Sequence, residues 1–244
     1  MIKRITLASL AATFALCSFA PARAETTKPT PGAPCEKSNG NPCDGNNGNP
    51  SPEGNVGETV KYDRKPLPFT IARPGNARGA FINQIGDQNL SAIRQSETSH
   101  YARIDQDGDR NDADVGQTGS GAHYALVTQT GDSNALDLAQ SGAGAQVAFV
   151  QQYGNFNQMA LVQQGGTVSS GVAATQTGNL NEMSLLQSGS NNQARLIQNG
   201  SGNDMSASQT GGNNQLTWTQ TGDNLSDLSI SQTGGQALQV TQSR

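Results

Sequence analysis

The stretch from Gln176 to Gln242 reads QTGNLNEMSLLQSGSNNQARLIQNGSGNDMSASQTGGNNQLTWTQTGDNLSDLSISQTGGQALQVTQ. Within it, Gln recurs at positions 176, 187, 198, 209, 220, 232 and 242. A step of about eleven residues that is this regular is an internal repeat. The same frame continues upstream through Gln163, Gln152, Gln140, Gln129, Gln117, Gln106, Gln95 and Gln84. Fifteen half-repeats therefore occupy the chain from about residue 78 onward.

Each half-repeat has the same internal pattern. Gly stands two residues after nearly every Gln, with Glu97 as the exception, and small or aliphatic residues stand two and four residues before it. Asn is the commonest residue six positions before the Gln. These positions share one parity, so a strand points all of them to one face, whereas a helix would spread them around its axis. The recurring Gly marks a turn.

The pattern predicts an all-β protein, a β-solenoid of stacked strand-turn-strand repeats. Two half-repeats make a rung of 22 to 24 residues, which gives about seven and a half rungs. At roughly 4.8 Å a rung, the stack is expected to be about 35 Å tall. Handedness does not follow from the pattern.

Buried amides must be hydrogen-bonded, and identical amides at successive rungs can bond to one another as ladders along the axis. The expected ladder residues are Gln84, Asn89, Gln95, Gln106, Asn111, Gln117, Gln129, Asn134, Gln140, Gln152, Asn157, Gln163, Gln176, Asn181, Gln187, Asn192, Gln198, Asn203, Gln209, Asn214, Gln220, Gln232 and Gln242. Other residues take the Asn position at several rungs, which are expected to be weaker joints: His100, His123, Gln146, Ser170, Ser226 and Gln236.

Composition and charge limit the class of protein. Only 33% of residues are hydrophobic and 29 are Gly, which excludes an ordinary globule but suits a thin core built by stacking. From residue 79 onward, five Arg face thirteen Asp or Glu, a net charge of −8. Nucleic acid and anionic membrane need clustered basic residues, so neither is an expected partner, and no insertion into lipid is expected.

The chain upstream of the repeats divides in two. Residues 1–24 combine Lys3 and Arg4, an apolar run and an Ala22-Arg23-Ala24 cleavage site, as a secretory signal peptide does. Residues 25–78 hold nine of the ten Pro and show no apolar period, which predicts a disordered segment before the solenoid of residues 79–244. Within that segment, residues 66–71 could add one edge strand. Cys35 and Cys43 could form a small disulfide loop or remain free thiols in a tail.

The sequence gives little support to a catalytic or metal-binding interpretation. The acidic run Asp105–Asp114 could cage Ca²⁺, but Gly108 stands in the wrong position for an EF-hand, and outward charge that restrains stacking is the favoured interpretation. His100 and His123 are read as substituted ladder residues in preference to a metal pair, and Trp218 as core in preference to a sugar platform. No Ser/His/Asp or Cys/His set is available, so we expect no enzyme and no cofactor.

The unit Q-x-G-x-x-N-x-A-x-x-x-Q, as in Gln84–Gln95 and Gln187–Gln198, closely resembles the curlin repeat of curli subunits, the secreted bacterial functional amyloids. The resemblance covers about two thirds of the chain. It implies export through the periplasm and a dedicated outer-membrane pore. It also implies self-assembly, together with other curli-type subunits or a nucleator, into extracellular surface fibres for adhesion and biofilm.

A second function belongs to another class: a monomeric secreted β-solenoid that binds a surface, a glycan or ice. The Thr residues beside the turns do not form a flat Thr-x-Thr array, which favours the fibre subunit. The chain shows little capping of its end rungs, so both ends are expected to be open edges that invite another chain. Replacing Gln232 and Gln242 should then slow assembly, and replacing Asp107, Asp109 and Asp112 by Asn should speed it.

Overall fold

The computed structural model describes residues 58–244, in which sixteen strands and no helix occur. Strand β1 is Thr59–Asp63, and the next fifteen strands alternate between two sheets. Sheet A contains β1 and the even-numbered strands: β2 Gly79–Ile85, β4 Tyr101–Asp107, β6 Tyr124–Thr130, β8 Gln146–Tyr153, β10 Ser170–Thr177, β12 Gln193–Asn199, β14 Gln215–Thr221 and β16 Ala237–Ser243. Sheet B contains the remaining odd-numbered strands: β3 Leu90–Gln95, β5 Asp112–Thr118, β7 Ala135–Ser141, β9 Gln158–Gln164, β11 Glu182–Ser188, β13 Asp204–Thr210 and β15 Leu228–Thr233.

Neighbouring strands of the repeat region are parallel and in register. Gln176 of β10 lies opposite Gln152 of β8 on one side and Gln198 of β12 on the other. The stacked rings of Tyr101 and Tyr124 have centroids 4.8 Å apart, which is the usual spacing of adjacent strands. The predicted β-solenoid with two strands per rung is confirmed.

The core is a thin layer between the two sheets. It contains the aliphatic residues two and four positions before each Gln, and Leu161, Leu196 and Trp218 are fully buried there. Burying one such side chain contributes about 1.5–3 kcal/mol, so many small contributions along the stack stabilise the fold. Trp218 is a core residue, as the sequence predicts.

The recurring Gly is required by close approach of the backbone between rungs. At Gly178, φ is +116°, and a Cβ there would overlap the carbonyl oxygen of Gly200 in the next rung. Two residues later, Leu180 also has positive φ, at 57°. In every turn that leads from sheet A to sheet B, the residue just before the Asn position thus has a positive φ, a conformation that residues other than Gly adopt only at a cost.

Residues 64–78, here called the strap, connect β1 to β2 across the outer face of sheet A. The carbonyl oxygen of Phe69 accepts a hydrogen bond from Gln215, and the backbone N–H of Ile71 donates to Oε1 of Gln193 at 2.8 Å. Ile71 is buried against Tyr124 and Val147. The strap therefore contacts several rungs at once.

The structure differs from the sequence prediction upstream of residue 79. Residues 58–78 belong to the segment predicted to be disordered, yet they form β1 and the strap, because the apolar side chains of Phe69 and Ile71 have an aromatic surface on sheet A to cover. Residues 66–71 are not a strand. The predicted signal peptide, residues 25–57 and the Cys35–Cys43 pair lie outside the described residues.

Candidate assembly interface

Two columns of Gln side chains run along the stack, one on the inner face of each sheet. At each step, Nε2 of one Gln donates to Oε1 of the Gln in the next rung, at 2.7–2.9 Å. The column of sheet A contains Gln84, Gln106, Gln129, Gln152, Gln176, Gln198, Gln220 and Gln242. The column of sheet B contains Gln95, Gln117, Gln140, Gln163, Gln187, Gln209 and Gln232.

The second amide hydrogen of each interior Gln reaches the opposite sheet. Gln176 Nε2, for example, also donates to the carbonyl oxygen of Gln158 at 3.0 Å. Both polar atoms of a fully buried amide are therefore hydrogen-bonded, which removes the cost of burying it. Gln84 and Gln95 lie in the first rung, where the column ends and Gln84 is exposed.

The Asn residues form a second kind of column. Asn157 Oδ1 accepts the backbone N–H of Asn181 one rung on, and its Nδ2 donates to the carbonyl oxygen of Gly178 at 2.8 Å. The same arrangement joins the column of sheet B: Asn89, Asn111, Asn134, Asn157, Asn181 and Asn203. Asn192 and Asn214 continue the pattern behind sheet A. The Asn side chains thus hold each turn against the next one.

Three of the substituted Asn positions, His100, His123 and Ser170, keep the acceptor that the ladder needs, whereas Oε1 of Gln146 is buried without a partner and the N–H of Ser170 bonds to the carbonyl oxygen of Ala145. Nδ1 of His100 accepts the backbone N–H of His123, and Nδ1 of His123 accepts that of Gln146. Oγ of Ser170 likewise accepts the N–H of Asn192. In one repeat the prediction from sequence, which placed Ser226 at the Asn position, was wrong. The N–H that meets Asn203 Oδ1 is that of the buried Leu225, because this half-repeat has an extra residue before its strand.

The two His rings stack with centroids 4.7 Å apart. Burial lowers the pKa of His123 to about 4, although a hydrogen bond from its ring to the carbonyl oxygen of Thr118 opposes the shift. A neutral ring that donates from Nε2 leaves Nδ1 free to accept, so the depressed pKa keeps His123 in the form that the ladder requires.

A third column, which was not predicted from the sequence, lies in the turns between sheet A and sheet B. Oδ1 of Asp109 accepts the backbone N–H of Asp87 in the preceding rung, and Asp132 does the same for Asp109. The column contains Asp87, Asp109, Asp132, Asn155, Asn179, Ser201 and Asp223. The sequence does contain a regularity that predicts this column, because each of these residues stands three positions after a sheet A Gln.

The Gln columns are polar, so the two ends of the solenoid differ. At the β2 end, the columns end with Oε1 of Gln84 and Gln95, to which no donor from residues 58–244 bonds. At the other end, the last groups are the Nε2 donors of Gln232 and Gln242. One end therefore presents acceptors and the other presents donors.

The expectation that both ends lack a cap was wrong for one strand. β1 pairs antiparallel with β16, with Tyr62 opposite Val240. Glu58, just before β1, accepts hydrogen bonds from Gln242 Nε2 and from the backbone N–H and hydroxyl of Ser226. The edges of β2, β3 and β15 have no strand partner among the described residues. The period of the repeat gave no hint of this contact, because β1 lies outside it.

Acidic and imidazole side chains in residues 58–244 do not form a group of three or more that could hold a metal ion. In the run Asp105–Asp114, Asp105 pairs with Arg103 at 2.7 Å and Asp114 pairs with Arg94. The part of the chain that the structure describes contains no helix of the length and apolarity needed to cross a membrane.

The fold and its columns define a β-solenoid stabilised by amide ladders. The family model described as the curlin associated repeat matches two segments of the chain, residues 108–142 and 178–211. Both segments carry the curlin associated repeat, and these two matches support the assignment of the chain to the curlin-repeat family. No curated protein and no solved structure matches it. The repeat family and the solenoid together suggest a structural, non-enzymatic protein.

Proposed function

We propose that this protein is a secreted structural subunit of curli-like fibres, which form by end-to-end stacking of the solenoid. The observation that carries the proposal is the polarity of the Gln columns. Donors at the β15 and β16 end match acceptors at the β2 and β3 end. A second copy of the chain can therefore continue both columns with bonds of the kind found inside each subunit.

The part of the core that is exposed at the β2 end supports the same proposal. Ile82, which belongs to an aliphatic column, is 48% exposed because no rung precedes it, whereas its equivalent Ile104 is fully buried. Stacking another rung on this end would bury Ile82 as deeply as Ile104. Apolar area and backbone groups of the open strand edges would be covered together, which favours growth at the ends.

The curlin repeat supports a function outside the cell. Curli-type subunits act as surface fibres for cell adhesion and biofilm, and their partners are other subunits, a nucleator and an outer-membrane export pore. The predicted signal peptide at residues 1–24 supports export through the periplasm. We therefore propose an extracellular location at the cell surface.

The test is fibre formation by the secreted chain without residues 1–24. Thioflavin fluorescence should rise after a lag, and the fibres should give X-ray reflections near ~4.8 Å and ~10 Å. Replacing Gln232 and Gln242 by Ala should lengthen the lag, since both Nε2 donors at the β15 and β16 end are lost. Thr210→Ala, at an exposed position, is the control.

A parent protein that remains monomeric for days at high micromolar concentration would overturn the proposal. If such a monomer bound a glycan or ice, it would support the alternative of a surface-binding solenoid.

A further inference from the structure

The solenoid contains an odd number of strands. From β2 to β16 there are fifteen, so sheet A ends with β16 while sheet B ends one step earlier with β15. The end of the stack is therefore a half-rung, with sheet A extending beyond sheet B. A subunit that joins this end must fit a step instead of a flat surface.

The step forms a cleft of about 690 Å³ above β15. Its walls include Leu228 and Ile230 of β15, Val240 of β16, and Val60 and Tyr62 of β1. These side chains are mainly apolar, as in the core beneath them. The cleft lies where one more strand of sheet B would continue the stack.

At the opposite end, β2 has the features of a strand that could fill this cleft. It has an unpaired edge, its Ile82 is half exposed, and its Gln84 offers a free Oε1. Gln232 of β15 lacks a Gln partner on the open side, and its Nε2 instead reaches the carbonyl oxygen of Gln236 at 3.4 Å.

We propose that a second copy of this chain docks with its β2 on β15 and its β3 on β16, so that consecutive subunits are rotated by half a turn about the fibre axis. This inference rests on the proposed function. The strand that begins in sheet A of one subunit continues sheet B of the subunit before it. Gln84 then extends the column that ends at Gln232, and Gln95 extends the column that ends at Gln242.

The alternative joint stacks β2 on β16 without rotation, and it leaves a gap. β15 of one subunit and β3 of the next would then be separated by one empty strand position. The backbone N–H and C=O groups facing that gap would lack partners, and the core behind them would contain a void. The rotated joint has neither defect, because every strand edge meets another edge.

Because β1 caps β16, the two halves of the joint must form one after the other. The cleft above β15 is open while β1 is in place, so β2 of the incoming subunit can bind first. β3 then needs the edge of β16, which β1 and Glu58 occupy. β1 must leave before the second half of the joint closes.

Engineered disulfides can distinguish the two joints. Asn83, Ser231 and Thr241 all stand one position before a ladder Gln, on the outward side of β2, β15 and β16. Adjacent parallel strands bring Cα atoms about 4.8 Å apart, within the range that a disulfide spans. The parent for these variants lacks residues 1–24 and has Cys35 and Cys43 replaced by Ser.

Fibres of the N83C/S231C variant, oxidised and then dissolved without reductant, should give covalent multimers. The N83C/T241C variant should give monomers, as should the N83C control. Multimers from N83C/T241C alone would show the unrotated joint and overturn the inference. Fibres in which neither pair crosslinks would also overturn it.

A measurement on the unmodified chain provides a second test. The rotated joint predicts a subunit height of seven and a half rungs, about 36 Å, and a true repeat of two subunits, about 72 Å. The unrotated joint predicts a repeat of eight rungs, about 38 Å. Electron microscopy that finds only the shorter repeat would overturn this inference but leave the fibre function intact, whereas absence of fibres would remove the fibre function itself.

Discussion

The carboxylate of Glu58 accepts a hydrogen bond from Nε2 of Gln242, in the place that Oε1 of a further Gln takes at every other step of that column. The residue before β1 thus imitates the next rung of the ladder. Partial burial raises the pKa of Glu58, but the hydrogen bonds from Gln242 and Ser226 outweigh burial, so its pKa lies below the usual value. The charged form is the one that caps the column.

Removing this carboxylate should shorten the lag before fibres form. Glu58→Ala leaves the Gln242 donor without its acceptor and weakens the attachment of β1, so the edge of β16 is exposed more often. Glu97→Ala, which removes an exposed carboxylate outside the cap, is the control and should not change the lag. Thioflavin time courses check this, and equal lags for Glu58→Ala and the parent would show that β1 does not limit assembly.

Acid should act on the same contact. Because the pKa of Glu58 is lowered in the folded protein, its contribution is present above the ordinary pKa and is lost as the pH falls through the lowered one. The difference in lag between the parent and Glu58→Ala should therefore shrink in that acidic range. A difference that persists when the carboxyl is protonated contradicts this account.

An interior ladder residue should matter more for stability than its exposed neighbour. Gln176→Leu leaves one N–H of the Gln152 amide and the Oε1 of Gln198 buried without a partner, at a cost of about 3 kcal/mol. Thr177→Ala, at the adjacent exposed position, should change stability by less than about 0.5 kcal/mol. Urea unfolding of freshly prepared monomer measures both, and equal values would mean that the amide column does not stabilise the fold.

The positive φ of Leu180 offers a stabilising substitution. The side chain is 66% exposed, so little burial is lost on replacing it, while the left-handed conformation costs a residue such as Leu about 1 kcal/mol more than Asn. Leu180→Asn should raise the unfolding free energy by roughly that amount. The same change at Leu186, in strand β11, should not, because Asn is a poor strand former. A destabilised Leu180→Asn variant contradicts the prediction.

The His pair should make stability depend on pH. The pKa of His123 is lowered to about 4 in the folded chain, chiefly by burial, so the folded state takes up a proton less readily than the unfolded state. Stability should therefore fall as the pH decreases from about 6.5 towards 4. In the His100→Asn, His123→Asn double variant, which restores the usual ladder residue, this part of the decline should disappear. Urea midpoints at several pH values test it, and parallel curves for both proteins refute it.

The outward carboxylates are expected to restrain assembly. Asp107, Asp109 and Asp112 are exposed, and Asp109 stands between Asp87 and Asp132 in the turn column. Asn at these positions removes like-charge repulsion, and at Asp109 it retains the Oδ1 acceptor. The triple variant should form fibres after a shorter lag, with Glu97→Gln, which removes an exposed carboxylate outside this run, as the control. An unchanged lag for the triple variant would remove this role.

The repeat made most of the solenoid predictable. Gln176 meets Gln152 and Gln198 because residues 22 to 24 positions apart occupy the same place in successive rungs, and that separation is visible in the sequence. The inward face followed from strand parity, which also placed Trp218 in the core. The turn column of Asp109 was equally periodic and could have been found. The extra residue before β15, which puts Leu225 in the Asn position, could not, because two alignments satisfy the spacing equally well.

The contacts at the end of the stack could be found only from the folded structure. Glu58 and Gln242 are separated by 184 positions, and Ile71 and Gln193 by 122, with no period that connects either pair. Contacts inside the repeats recur at every rung, so the one-dimensional pattern contains them many times over. A contact between a non-repeating segment and one edge occurs once, and it depends on which edge remains open and which surface remains apolar after the stack has formed. Periodicity therefore determined the rungs of this protein, while the cap, the strap and the half-rung step were decided only when the chain closed on itself in three dimensions.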